Sequence, residues 1–454
     1  MSVAFRGKDL YAVALLSLIA LFLFADQNLM APNLTQIGDE FGFTDAQRDV
    51  KLGGHISLVF WLLGGAVTLA IGYFTDRVSR KWLLGAVVVV GEIPCFLTGY
   101  ADSYEQLFWL RALTGIGIGG AMPLIYSLIG DYFPASRRAA AAAFVGLAMG
   151  LGIAIGQLVA GTLGPSHGWR LPFIIVASPN FVLGVLFLAT IAEPARGRAE
   201  AGLSDLSEAA LATGGDAIVH GGAITRESYR NLFRVRSNLL IFLQGAVGTV
   251  PWGVFFVYLN DFMAQDKGYT VEAATAIVLA IGGLSIAGSF AGGLFGNVVY
   301  NRNPRHLPVL CALCTVAAVL PTAALINYPA QGASATGVLG PIAIGSIAGF
   351  LAGVTGPNVR AMLLNVNAPE TRGSIFALYN LADDLGRGLG PFFISALIVA
   401  MGRQGAFNVS ILFWVACGGF LLILARYYPA DEKALDEAMA ERARVLKGAS
   451  EHNP

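Results

Sequence analysis

The sequence predicts an all-α integral membrane protein of twelve transmembrane helices in two pseudo-symmetric six-helix halves, and three observations carry that prediction. Hydrophobic residues make up 56% of the 454-residue chain and charged residues only 13%, against roughly 25% charged in soluble domains. Apolar stretches of roughly 20 residues, long enough to cross a bilayer as a helix, recur along it. Residues 345–391 also repeat residues 111–157 at a constant offset of 234.

Spans are expected near residues 10–33, 52–74, 82–100, 107–131, 139–163 and 170–192, and again near 238–261, 272–299, 307–328, 337–364, 373–401 and 406–427. The first follows Arg6 and Lys8 with no Ala-x-Ala cleavage signal and reads as a retained helix. Between the halves, residues 194–236 mix Arg, Glu, Asp, Ser and Gly, and their Tyr229–Arg236 end has the character of a basic interfacial helix. The expected organisation is an N-terminal half over 1–193, a cytoplasmic linker over 194–236, a C-terminal half over 237–428 and a cytoplasmic tail over 429–454.

Charge is balanced at 29 Lys plus Arg against 29 Asp plus Glu, which gives no reason to expect a nucleic-acid partner. Its distribution sets orientation. With the N-terminus inside, the short inner segments hold Arg6, Lys8, Arg77, Arg80, Lys81, Arg137, Arg138, Arg302, Arg305, Arg360 and Arg372. The outer loops hold only Arg48, Lys51, Arg170, Lys267 and Arg403. The positive-inside rule then places both termini in the cytoplasm, and a bacterial inner membrane is the expected location.

The repeat matches Gly119 with Gly353, Pro123 with Pro357, Arg138 with Arg372, Gly152 with Gly386 and Gly156 with Gly390. Small residues at such positions allow close helix approach in lipid, and paired halves of this kind are a known basis for alternating access. Cys95, Cys311, Cys314 and Cys417 fall in apolar stretches and read as packing; the five histidines form no ligand-spaced cluster. No phosphate loop, nucleophile elbow or zinc-protease signature occurs. An enzyme, a metal site and a cofactor other than a coupling proton are therefore not expected.

The loop after the second span reads Gly72-Tyr-Phe-Thr-Asp76-Arg77-Val-Ser-Arg80-Lys81. It resembles the inner loop of the major facilitator superfamily, Gly-x-x-x-Asp-Arg-x-Gly-Arg-Lys, with Ser79 in place of a glycine. A carboxylate at a helix end, beside arginines, can latch one conformation. Gly72, Asp76, Arg77, Arg80, Lys81 and Arg138 are the candidate latch. The corresponding second-half segment has Asn297 at the Asp position, so a one-sided latch is expected.

Ionisable groups inside lipid cost roughly 2.5–3.5 kcal/mol each on insertion scales and invite functional roles. At 1.5 Å per residue Asp26 lies about 24 Å from the inner start of helix one, and Arg111 about 6–8 Å below the outer surface, so their depths agree. Asp26 is the candidate proton carrier, Arg111 its partner and a candidate contact for substrate charge. Glu92 is a third candidate for proton coupling. Asp383, Asp384 and Arg387 form a second group on helix eleven. Gln27, Asn28, Tyr126, Gln157, Trp252, Tyr258, Asn358, Tyr379 and Asn380, with Asp384 and Arg387, are candidate substrate-binding residues lining an amphipathic cavity.

Within the superfamily the chain most resembles the Spinster-like branch: an early helix-one Asp, a Gly-Tyr-x-x-Asp-Arg-x-x-Arg-Lys loop and an Arg opening helix four. It departs from that branch at Gln27, where Arg is common, and at Ile118, where Glu is common. The resemblance implies helices one and four beside a central cavity and a lysophospholipid or sphingoid-like substrate, moved with protons. The reading is a proton-coupled carrier of an amphiphilic organic anion or lysolipid, monomeric, with membrane lipid and substrate as its partners. A small organic-anion or drug carrier, and a non-transporting sensor or scaffold, are the alternatives.

Overall fold

The computed structural model describes residues 7–75, 78–133, 135–194, 232–331, 337–368 and 371–451. Ten long helices come first: α1 (Leu10–Glu40), α2 (Asp45–Ile71), α3 (Arg80–Thr98), α4 (Tyr104–Tyr132), α5 (Ala141–His167), α6 (Arg170–Thr190), α7 (Arg236–Gln265), α8 (Val271–Arg302), α9 (His306–Ile326) and α10 (Leu339–Asn365). The last helical stretch, Arg372–Glu451, is broken at Gly402, whose φ of 77° and ψ of 164° lie outside any helix. Glycine tolerates that geometry at little steric cost. The break divides the stretch into α11 (372–401) and α12 (403–451), so twelve spans are present among the described residues, as the sequence predicts. Most of the linker lies outside the described residues.

Two spans change helix type, both where charge is buried. In α1 the helix proper ends at Ala25, and 3-10 turns follow at Asp26–Asn28 and Ala31–Asn33 before helix resumes at Leu34. Pro32 contributes to the break because it lacks the N–H that an uninterrupted helix uses. In α2 a Thr44–Gln47 capping box starts the helix, and a π-helical segment follows at Asp49–His55. Both spans start or end beyond the apolar windows seen in the sequence, because charged terminal turns read as loop.

The 234-residue repeat is a repeat of contacts. A Cβ on Gly119 would lie 2.0 Å from the Gly64 carbonyl oxygen, and one on Gly353 2.1 Å from that of Ser285. The Thr68 hydroxyl donates to the Gly119 carbonyl at 2.8 Å, as that of Ser289 does to Gly353 at 2.9 Å. Gly152 and Gly156 bring α5 onto the Leu21 and Ala25 carbonyls of α1, while Gly386 and Gly390 bring α11 onto those of Ala246 and Val250 in α7. The same pairs of helices thus touch in each half, backbone to backbone.

Each half has its own apolar core, around Leu16, Leu84 and Leu124 in the first and Ile241, Leu363 and Leu421 in the second. A third core joins Ile37, Leu52 and Phe173 to Tyr258, Phe262 and Phe407 from the other half. These residues sit at the end of the bundle opposite the start of α1, called the far end below. The end where α1 starts and α12 finishes is the terminal end.

Candidate transport site and gate

The break in α1 exposes the Asp26 carbonyl, and α4 supplies its partner: Arg111 Nη2 donates to it at 2.8 Å. The guanidinium lies between two aromatic faces, 5.2 Å from the Phe60 ring centre and 5.4 Å from that of Phe173, with Nη1 4.0 Å from Cys95 Sγ. Asp26 and Arg111 meet, as their matched depths predict, but through the backbone: neither Asp26 carboxylate oxygen has a hydrogen-bond partner. The carboxylate instead faces α3, and the acid oxygens of Asp26 and Glu92 and the Cys95 sulfur all lie within 4.8 Å of one another. Glu92 is fully buried and accepts from Asn180 Nδ2 of α6, which also donates to the Ile19 carbonyl at 3.3 Å.

Helix three is thus drawn into the charge cluster, and Asn180, which no sequence motif singles out, holds its acid in place. Two carboxyl groups share one guanidinium. A single proton on the pair leaves the cluster neutral, whereas two ionised carboxylates leave an uncompensated charge in the core, a costly state. Asp26, Glu92 and Cys95 are also the described residues whose spacing suits a metal, but the adjacent guanidinium already contributes positive charge.

A second cluster seals the far end and joins the halves. Arg403, at the start of α12, donates Nε and Nη2 to the Asp49 carboxylate of α2 at 2.9 and 2.5 Å, Nη2 also to Asp261 at 2.7 Å, and Nη1 to Asp266 at 3.1 Å. Arg48 contacts Asp45 and Asp49 and lies 3.9 Å from Asp261. The Thr35 hydroxyl and backbone N–H both donate to Asp261, at 2.8 and 3.1 Å. Burial pushes the Asp266 carboxyl up, an effect that Arg403 partly offsets. Arg48 and Arg403 read as outer-loop charges in the sequence, yet each is only 6% exposed. They sit on first turns that an apolar window leaves out. Spare acids flanking two interrupted spans were the available signal.

Tyr258 belongs to this seal and not to a ligand cavity. It is fully buried, and its hydroxyl donates to the Asp49 carbonyl at 2.8 Å. A Cβ on Gly53 would meet the ring at 2.2 Å, so the glycine makes room for it. Asn358 donates to the Gly292 and Val354 carbonyls, both at 2.9 Å, and ties α8 to α10. Gln157 is buried, with neither amide atom bonded. Trp252 meets Trp414 edge to face within the second half. Gln27 and Asn28, with Arg111, Phe60, Trp61 and Phe256, line a cavity of about 50 Å³ beneath the seal. Tyr126 and Asn380 are exposed and Tyr379 is buried, while Asp384 and Arg387 are half-buried.

At the terminal end, Asp76 and Arg77 of the candidate latch lie outside the described residues, as does the side chain of Arg138. Arg80 is buried and bonds Asp131 of α4, Glu193 beyond α6 and the Pro194 carbonyl at 3.1 Å, all within the first half. Lys81 lies 5.9 Å from the Trp82 ring centre. Ser79, the departure from the family loop, caps α3 and donates its hydroxyl to Glu193; its φ of −58° does not require glycine.

Burial raises the Glu193 carboxyl, but the Ser79 hydroxyl, the Arg80 backbone N–H and the Arg80 charge together bring it below the ordinary 4.5. A depressed carboxyl stabilises the fold above its unfolded value and loses that contribution as pH falls through the folded value. The melting temperature of Glu193→Gln should therefore be lower than that of the parent at pH 6, and the gap should close as pH is taken below 4.5. Thermal unfolding in detergent at several pH values checks this.

Two six-helix halves, each with its own core and joined at the far end by an ionic seal, define a membrane carrier fold. The family model described as Major Facilitator Superfamily matches residues 16–391, and the chain belongs to that superfamily. It is accordingly a transporter and not an enzyme. Among curated relatives it is 26% identical over 394 residues to the 4-hydroxybenzoate transporter PcaK of Pseudomonas putida, covering 76% of this chain and 85% of that one. It is 24% identical over 412 residues to protein spinster of Drosophila melanogaster, covering 87% of this chain and 62% of that one. The fold matches a bacterial homolog of the human lysosomal transporter Spinster, in its inward-facing and unoccupied conformation, with a TM-score of 0.79 at 19% identity over 94% of this chain and 99% of that one. The superfamily and the Spinster-like character expected from the loop and from helices one and four are both borne out.

Proposed function

We propose that the protein is a proton-coupled carrier of an amphiphilic organic anion, working by alternating access of its two halves. The observation that carries this reading is the buried Asp26, Glu92 and Arg111 cluster at the break in α1, directly beneath a seal that joins the halves. In this reading the proton resides on the Asp26–Glu92 pair. Its arrival or departure changes the charge held against α1, the helix that also carries Thr35 into the seal. The loop-charge distribution supports a cytoplasmic terminal end in a bacterial inner membrane, and the far-end seal then corresponds to an inward-facing carrier acting as a monomer.

Relatives named for 4-hydroxybenzoate and for spinster favour two kinds of amphiphilic anion, an aromatic carboxylate and a lysolipid. An apolar groove of about 700 Å³ along α8, lined by Ile286, Phe290, Leu294 and Phe295, suits an apolar moiety. A Cβ on Gly150 of α5 would lie 3.4 Å from Ile286 Cδ1, so the groove adjoins a helix of the first half at that residue. The test is uptake into proteoliposomes after an acid jump outside, with 4-hydroxybenzoate, lysophosphatidic acid and a short aliphatic acid compared. Acid-stimulated uptake of one amphiphilic class above the short acid is expected. Equal flux with and without the pH gradient would remove proton coupling, and binding without counterflow would make the protein a sensor.

A further inference from the structure

We propose that the far-end seal is itself sensitive to pH: a proton taken up by Asp266 from the solution at that end stabilises the closed seal against the open one. This goes beyond the coupling proton on the Asp26–Glu92 pair and needs neither that pair nor a substrate.

The two sides of the seal carry different charge. On the first-half side α2 brings Asp45 and Asp49 with one cation, Arg48, which contacts both. The second-half side brings Asp261 and Asp266 with Arg403, which bonds both, and with Lys267, the next residue in the chain. Apart, the second-half set is neutral and the first-half set carries one net negative charge. Closure therefore presses a spare negative charge against Asp261 and Asp266. It also diverts Arg403, which gives Nε and Nη2 to Asp49 at 2.9 and 2.5 Å.

The geometry singles out Asp266 as the acid that takes the proton. Asp49 accepts from both guanidinium groups, with Arg48 Nε at 3.1 Å. Asp261 accepts from Arg403 Nη2 at 2.7 Å and twice from Thr35. Asp266 accepts one bond from the described residues, from Arg403 Nη1 at 3.1 Å. Lys267 turns away, its Nζ donating to Gln404 at 3.2 Å and lying 5.1 Å from the Phe262 ring centre. The Asp266 side chain is 36% exposed, against 3% for Asp49 and 2% for Asp261, so water reaches the least firmly held of the three. Asp45, at 91% exposure, keeps its charge in solvent.

Burial raises the Asp266 carboxyl, Arg403 lowers it, and the charges of Asp261 and Asp49 raise it again, with a net rise. In the open seal, clear of Asp49 and hydrated, it returns towards the ordinary value of about 3.9. A group that binds its proton more tightly in one state favours that state as pH falls. The closed seal thus gains on the open one as pH drops through the raised value, and holds the full gain below about 3.9. With the terminal end in the cytoplasm, this proton comes from outside, and external acid favours the inward-facing form.

Spin labels at Glu105→Cys and Glu272→Cys, exposed positions in the first turns of α4 and α8, report the separation of the halves at the far end. Cys314→Ser removes the half-buried native cysteine, the other three being buried. Distances are measured between the labels by electron–electron resonance in purified full-length protein without substrate, from pH 8 to pH 4.5. The ratio of closed to open molecules should rise about threefold or more over that range. Asp266→Asn and Asp266→Ser, both uncharged, should hold the acid ratio at every pH, while Asp266→Glu keeps a carboxyl and should keep the response. A parent ratio that is flat or falls with acid, or a response of parental size in the two uncharged variants, would overturn the proposal. Neither result bears on the carrier reading, because no substrate and no gradient enter the measurement.

Discussion

Replacing Arg403 with Ala should open the far end. Among the described residues, Arg403 is the one that bonds Asp49 of the first half together with Asp261 and Asp266 of the second. Its removal leaves Asp49 and Asp261 with the single guanidinium of Arg48 and takes from Asp266 its guanidinium partner. Breaking a buried ion pair by deleting one partner costs about 3–5 kcal/mol, and each 1.4 kcal/mol is about tenfold in an equilibrium constant. If the cost falls mainly on the closed state, the ratio of closed to open molecules drops by about two orders of magnitude or more. Ile56→Cys reports this, because Ile56 is buried beneath the seal. An impermeant maleimide added from the far side should label it slowly in the parent and at least about tenfold faster with Arg403→Ala. Arg403→Lys keeps the charge but not the fork that spans two carboxylates, and should fall between. Labelling unchanged by Arg403→Ala would assign closure to the apolar core around Phe262 and Phe407 alone.

The second large effect concerns the buried acids. Asp26→Asn and Glu92→Gln should each abolish accumulation driven by a pH gradient, by about tenfold or more, while substrate exchange at equal pH on both sides persists. Each substitution fixes one of the two carboxyl groups in a neutral form, so the pair can no longer reach its fully ionised arrangement, and Arg111 balances the one carboxylate that remains. Stability should hold or rise, because an unpaired buried carboxylate is expensive. A folded variant with lost accumulation and intact exchange is thus separable from a misfolded one. Asn180→Leu tests positioning: freeing Glu92 from α6 should shift the pH profile of accumulation, an effect that a purely structural contact between α3 and α6 would not have.

The sequence made the repeat, the spans and the depth match of Asp26 with Arg111 legible because each depends on periodicity or length. Gly152 and Gly156 pack α5 on α1 as the small-residue spacing implied. What the sequence hid depends on rotation about a helix axis and on helix ends. Glu92 looked isolated because nothing in an apolar stretch tells which side of helix three faces Asp26, and Asn180 looked like any polar residue in a span. Arg48, Asp49 and Arg403 were lost to loops because a hydropathy window stops where charge begins, even when the helix starts earlier, as the Thr44–Gln47 capping box shows. Among the described residues, the buried cluster of Asp26, Glu92 and Cys95 lies wholly in the first half.

Coupling is tested most directly by the proton itself. Proteoliposomes holding an impermeant pH dye, with no imposed pH gradient, receive an inward gradient of whichever amphiphilic anion the parent transports. The account predicts that the lumen acidifies in step with substrate entry through the parent protein and does not through Glu92→Gln. Substrate entry through the parent with no accompanying proton movement would contradict it.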